Sequence, residues 1–122
     1  MNRLQNLIDE ALPVLDPSAG QMKKIITRMR DELGLPETAE LVWKKYLVFR
    51  IQGGGVDANR FHYFAVFDTP GGFMAANASG RIGMPRPLVT PIATTSNKES
   101  AVRAAEKKIL VKMKKGYDVQ DL

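Results

Sequence analysis

The chain has 122 residues, 44% hydrophobic and 25% charged, a composition ordinary for one globular domain or one domain with a short extension. It contains no cysteine, which excludes disulfides, thiolate zinc sites and a cysteine nucleophile, and fits a reducing compartment. The net charge of +5 is uneven: residues 1–42 carry 5 Lys/Arg against 7 Asp/Glu, and residues 43–122 carry 13 against 6.

A basic C-terminal portion fits a polyanion partner, reached by phosphate neutralisation and counterion release. A lysine surplus serves the solubility of a small domain equally well. Asp9 and Glu10 interrupt the N-terminus too early for a signal peptide. No apolar run approaches the ~20 residues of a membrane span. The expectation is a cytoplasmic protein without a membrane association.

In chain order, Leu4, Leu7, Ile8 and Leu12 keep helical spacing until Pro13. Asp16 then reads as an N-cap with Pro17 at the first helical position. Met22, Ile25, Ile26, Met29 and Leu33 continue that second helix, with Gly34 as its C′ residue and Pro36 beyond it. Lys23, Lys24, Arg28 and Arg30 fall on its outer surface. A third short helix is expected from Pro36 to about Val42.

The character changes near Trp43. Tyr46 to Gln52 reads as a strand, and Gly53-Gly54-Gly55 as a flexible connection. Arg60 to Asp68 is a second strand with apolar groups on both faces, hence a central one. Thr69-Pro70-Gly71-Gly72 suits a type II turn. A third strand is expected over Phe73 to Ala78, a fourth through Gly80–Gly83, and a short edge strand at Leu88–Thr90 among three prolines. Ser96 and Glu99 form an S-x-x-E capping box for a final helix. Its apolar face is Val102, Ala105, Ile109 and Met113, and Gly116 ends it.

The expected fold is therefore α+β: a small twisted antiparallel sheet covered by a C-terminal helix and preceded by an N-terminal helical segment. Residues 1–42 form a helical extension, and residues 43–122 form the sheet-and-helix domain.

Catalytic chemistry finds little support. His62 is the only histidine, and beside Tyr63 in a strand it reads as a packed residue rather than a ligand. Without a second histidine or a cysteine, a transition-metal site is hard to build. The glycines at 53–55 lack the Gly-Lys-Ser/Thr of a phosphate loop and join two strands. The few carboxylates of the basic half are scattered, so a paired acid-base site is hard to assemble. No cofactor and no small-molecule substrate is expected.

Three short motifs occur in order. They are Asn59-Arg60-Phe61-His62-Tyr63, Ser79-Gly80-Arg81-Ile82-Gly83 and Lys114-Lys115-Gly116-Tyr117. Over about 75 residues, Lys44 to Tyr117, this series resembles the WGR domain, with its Asn-Lys-Phe-Tyr strand start, its Trp-Gly-Arg and its closing Lys-x-x-Gly-Tyr. WGR domains occur in DNA-damage-dependent poly(ADP-ribose) polymerases and in bacterial proteins, alone or beside other modules. The resemblance implies a twisted antiparallel sheet with a packed helix, no catalysis, and DNA as the partner. The motif tryptophan, which packs against nucleic acid in the polymerases, is replaced here by Ser79, which cannot stack on a base or ribose. Gly80 and Gly83 can equally serve a tight bend, and Arg81 an internal ion pair.

In the closing helix Arg103, Lys107 and Lys114 fall on one stripe and Lys108, Lys112 and Lys115 on a second. Such ridges track phosphates by charge without reading sequence. They also solvate an ordinary surface helix and complement its dipole. The leading expectation is a sequence-nonspecific nucleic-acid-binding module, for DNA rather than RNA. Arg81, Arg86 and the helix cations would contact phosphates, with Lys44 and Lys45 extending the patch. The alternative is a protein-interaction or homodimerisation domain whose surface no longer serves DNA.

Overall fold

The computed structural model describes residues 19–49, 59–81 and 86–120. The helix expected over residues 4–12, the Asp16 cap, the glycines at 53–55 and the segment 82–85 containing Gly83 lie outside them. The elements are α1 (Ala19–Leu33), β1 (Glu40–Phe49), β2 (Arg60–Thr69), β3 (Gly72–Arg81), β4 (Leu88–Thr95), α2 (Lys98–Lys114) and β5 (Asp118–Gln120). The strands form one antiparallel sheet in the order β4-β3-β2-β1-β5. The architecture is α+β, as expected. Among the described residues no helix is long and apolar enough to cross a membrane.

The central strand follows from residue chemistry. Every residue of β2 from Phe61 to Phe67 is buried, because apolar side chains on both pleat faces demand cover on both sides. Phe61, Tyr63, Ala65 and Phe67 join Tyr46, Val48, Ala76 and Ala78 under α1, which contributes Met29 to the same cluster. Phe64 and Val66 join Leu47 and Ala75 under α2, which contributes Ala101, Ala105 and Ile109. The sheet is thus covered on both faces, and the N-terminal helix shares a core with the strands.

Both helices end the same way. Gly34 donates to the Asp31 carbonyl at 3.2 Å and Leu35 to Arg30 at 2.8 Å; Gly116 donates to Met113 at 3.0 Å and Tyr117 to Lys112 at 3.1 Å. Each pair is a Schellman closure, which satisfies the last carbonyls and folds the following residue back over the helix. At Gly116 the φ is 104°, and a Cβ there would meet the Phe49 ring at 3.0 Å, so glycine is doubly required.

Several expectations are corrected. No helix forms over residues 36–42: Pro36 opens a turn closed by the Ala39 amide, and Glu40 and Leu41 pair with Asp68 and Phe67. Cross-strand partners outweigh the local pattern there. No fourth strand begins at Gly80, since Gly80 and Arg81 end β3, and the edge strand at Leu88–Thr90 runs on to Thr95. Opposite Pro91 the ladder slips between Ala75 and Ala76, which lets a proline sit in this edge strand. The turn after Thr69 is not type II, since the positive φ of 128° falls on Gly72 and not on Gly71. A Cβ on Gly72 would stand 2.5 Å from the Thr95 carbonyl oxygen, so this hairpin fits under the end of β4 only with glycine. The cap of α2 is Asn97 rather than Ser96. Its side-chain oxygen accepts from the Ser100 amide at 2.8 Å, the reach from N-cap to N3.

Candidate nucleic-acid interface

The alternation of β2 decides which cations meet. Phe61 points to α1, so Arg60 and His62 on either side of it point to the α2 side. In the β2–β3 ladder Arg60 lies opposite Arg81 and His62 opposite Ser79, so Arg81 and Ser79 share that side. Leu88, the next partner of Ser79, follows Arg86 by two residues. Arg86 is exposed and belongs to the same end of the sheet.

The C-terminal end of α2 arrives at this corner. Its Schellman closure folds Tyr117 back, where the ring meets His62 edge-on at 5.0 Å and Phe49 at 5.2 Å, with the Lys112 ammonium 6.0 Å from its centroid. His62 stacks on Phe64 at 5.8 Å, and its Nδ1 lies 3.1 Å from the Asn77 side-chain oxygen. Burial holds the His62 imidazole below its ordinary value; the Asn77 hydrogen bond opposes this, and the nearby charges of Lys112 and Lys115 reinforce it. The Tyr117 hydroxyl is raised by burial, against the pull of Arg60. Arg60, Lys112 and Lys115 therefore border one aromatic knot, with Arg81 opposite Arg60 on the same side of the sheet. Arg60 was not among the expected contact residues. Its signal was the two-residue turn at Pro70-Gly71, which sets Arg60 against Arg81 by counting back along both strands.

The remaining helix cations divide. Arg103 and Lys107 lie on the flank of α2 that faces Lys45 of β1 and Val119 of β5. Lys108 and Lys114 are exposed on α2. Lys45 pairs with Phe64 and so faces α2, whereas Lys44 pairs with Ala65 and lies on the α1 side. Lys44 and Lys45 thus do not extend one patch; neighbours in a strand point to opposite faces.

The family-like motif residues mostly serve the fold. Phe61 and Tyr63 are 4% and 0% exposed in the α1-side core, and Asn59 is buried just before β2. Tyr63 has its hydroxyl buried without a hydrogen-bond partner among the described residues, and burial pushes its pKa up to about 12. Gly80 sits within β3 opposite Phe61 and has no positive φ, so it makes no bend there. Ser79 is partly exposed between His62 and Leu88.

The cations of the corner have no carboxylate among the described residues to satisfy them. Among the described residues the one ion pair is Arg28–Glu32 in α1, at 3.1 Å. Comparison with protein-family models, with curated proteins and with solved structures gives no match.

Proposed function

We propose that this chain is a non-catalytic, WGR-like module that binds DNA through its phosphates, without reading sequence, in the cytoplasm. The observation that carries the reading is the Arg60–Arg81 pair on the α2 side, gathered with Lys112 and Lys115 and without a carboxylate partner among the described residues. Like charges directly opposite in a ladder destabilise it. A polyanion that neutralises both relieves that cost. Ser79 beside them offers a hydroxyl and no stacking surface, which favours phosphate contact over base contact. The order of the three motifs and the basic balance of residues 43–122 support the same reading.

The test is fluorescence anisotropy with a labelled duplex across a salt series. With Arg60, Arg81, Arg86, Lys112 and Lys115 engaged, the log–log salt slope should be roughly −4.5. Arg81→Glu with Lys112→Glu should weaken binding at least tenfold and flatten the slope by about 2. Micromolar protein that binds no duplex at low salt rejects the proposal.

A second reading, a protein-docking domain, is favoured by a different surface. Leu110 and Met113, one turn apart on α2, are 58% and 45% exposed, an apolar pair that phosphate binding does not use.

A further inference from the structure

The flank of the sheet away from β4 is only partly closed. β5 pairs with Tyr46, Leu47 and Val48 alone. Among the described residues, β1 from Glu40 to Lys45 has no strand on its outer side. Such an edge presents amides and carbonyls ready to pair with another chain.

A groove runs beside that edge, between the sheet and α2. Its first part, of about 590 Å³, has an apolar floor of Ile109, Leu110, Met113 and Val119 under Lys45, Arg103 and Lys107. The second part continues past Trp43 and Val102, and both parts share Arg103 and Glu106. Lys45, Arg103 and Lys107 have no ion-pair partner among the described residues. Glu106 is the acid shared by the two parts, so the rim of the larger part is positive.

We propose that this groove and edge form a docking site for an extended segment of another protein that carries aliphatic and acidic residues together on one pleat face, at every second position. This rests on the protein-docking reading and names its partner class. The segment adds as a strand along Glu40–Lys45, which supplies main-chain hydrogen bonds, and its aliphatic side chains fill the floor under α2. Its carboxylates, on the same pleat face as those aliphatic groups, meet Lys45, Arg103 and Lys107. Charge decides against a second copy of this chain, because two copies paired antiparallel along this edge turn the same cation flank of α2, Arg103 and Lys107, toward each other. Nucleic acid cannot complete a strand edge. The site is also distinct from the arginine corner, since Lys107 and Leu110 face β1 and β5 while Lys112 and Lys115 face His62.

A random peptide library displayed on phage, selected on the immobilised full chain, tests the proposal. The expected result is enrichment of peptides in which Leu, Ile or Val and Asp or Glu lie two residues apart, on one face of a strand. Their affinity, measured by anisotropy, should fall at least tenfold with Lys107→Glu and with Leu110→Asp, and stay unchanged with Lys112→Glu. Both substituted side chains are exposed, so folding should survive, which circular dichroism checks. Amide shifts confined to residues 40–45 and the groove would identify strand addition. Peptides that bind both groove variants as well as the parent overturn the site and leave the docking reading standing. Self-association abolished by Leu110→Asp overturns the occupant in favour of a second copy. A library that yields no binder, with a monomeric chain by light scattering, overturns the site and the docking reading together.

Discussion

The two faces of the sheet use charge in opposite ways. On the α1 side the arginines are spent on the fold. Arg28 donates through Nε to the Pro87 carbonyl at 3.2 Å and pairs with Glu32, while Arg30 donates to the Ala39 carbonyl at 3.0 Å and lies 5.5 Å from the centre of the Phe67 ring. On the α2 side Arg60, Arg81, Lys112 and Lys115 gather without a carboxylate among the described residues. The packing differs too. Large groups such as Tyr46, Phe61, Tyr63 and Phe67 fill the α1 layer, whereas Ala75, Ala101 and Ala105 let α2 lie close to the strands. One face is a core sealed by its own cations. The other is a tightly packed floor whose cations face outward, and that difference is the reason to seek ligands there.

Met29→Ala should break the α1 layer hardest. Met29 is 0% exposed, and truncation in a closed core costs about 2–5 kcal/mol. Urea denaturation should show this loss, while DNA affinity of the folded fraction stays unchanged. If binding falls in step with stability, the faces are not independent.

Alkali should attack the same layer. Unfolded Tyr63 loses its proton near the ordinary 10, but the folded residue holds it to about 12. Between those values the native state binds the extra proton, so stability is intact below pH 10 and falls as pH rises through the window, by about 2–3 kcal/mol. Tyr63→Phe should remove that dependence. It should also raise stability at neutral pH by about 1 kcal/mol, because a buried hydroxyl without a partner is lost.

Arg30→Ala sharpens the contrast in charge. It should cost about 1 kcal/mol by thermal unfolding, through the lost Ala39 hydrogen bond and the contact with Phe67, and leave DNA binding intact. Removing Arg81 should do the reverse.

The smallest effect belongs to His62. Its folded value lies below the ordinary 6.5, so its contribution is present above pH 6.5 and is lost as pH falls toward the depressed value. His62→Gln should flatten the melting temperature between neutral and mildly acidic pH. A profile as steep as the parent's would remove His62 from the account.

Much of the fold was legible because its signals are local. The apolar spacing of Met22 to Leu33, the closures at Gly34 and Gly116, and the two apolar faces of β2 all read from neighbours a few residues apart. The failures share a cause as well. Residues 40–42 joined a strand because Phe67 and Asp68 offered partners, and Asn97 displaced Ser96 because it alone reached the Ser100 amide. Phe61 and Tyr63, which belong to the family-like motif, are core residues as the two apolar faces of β2 required, so that part of the motif reports the fold.

The sequence by itself determined that this chain builds a sheet with helices, which strand is central, and that its positive charge gathers after residue 42. Helical and strand periodicities are properties of short segments, so no partner is needed to read them. Only the tertiary structure decided that Arg81 stands against Arg60, that Lys112 lies over Tyr117, that Lys44 and Lys45 part company, and that Arg103 and Lys107 overlook an open strand edge. Those neighbours are brought together by ladder register and by the seating of α2 across the strands. Both are set by packing between segments far apart in the chain.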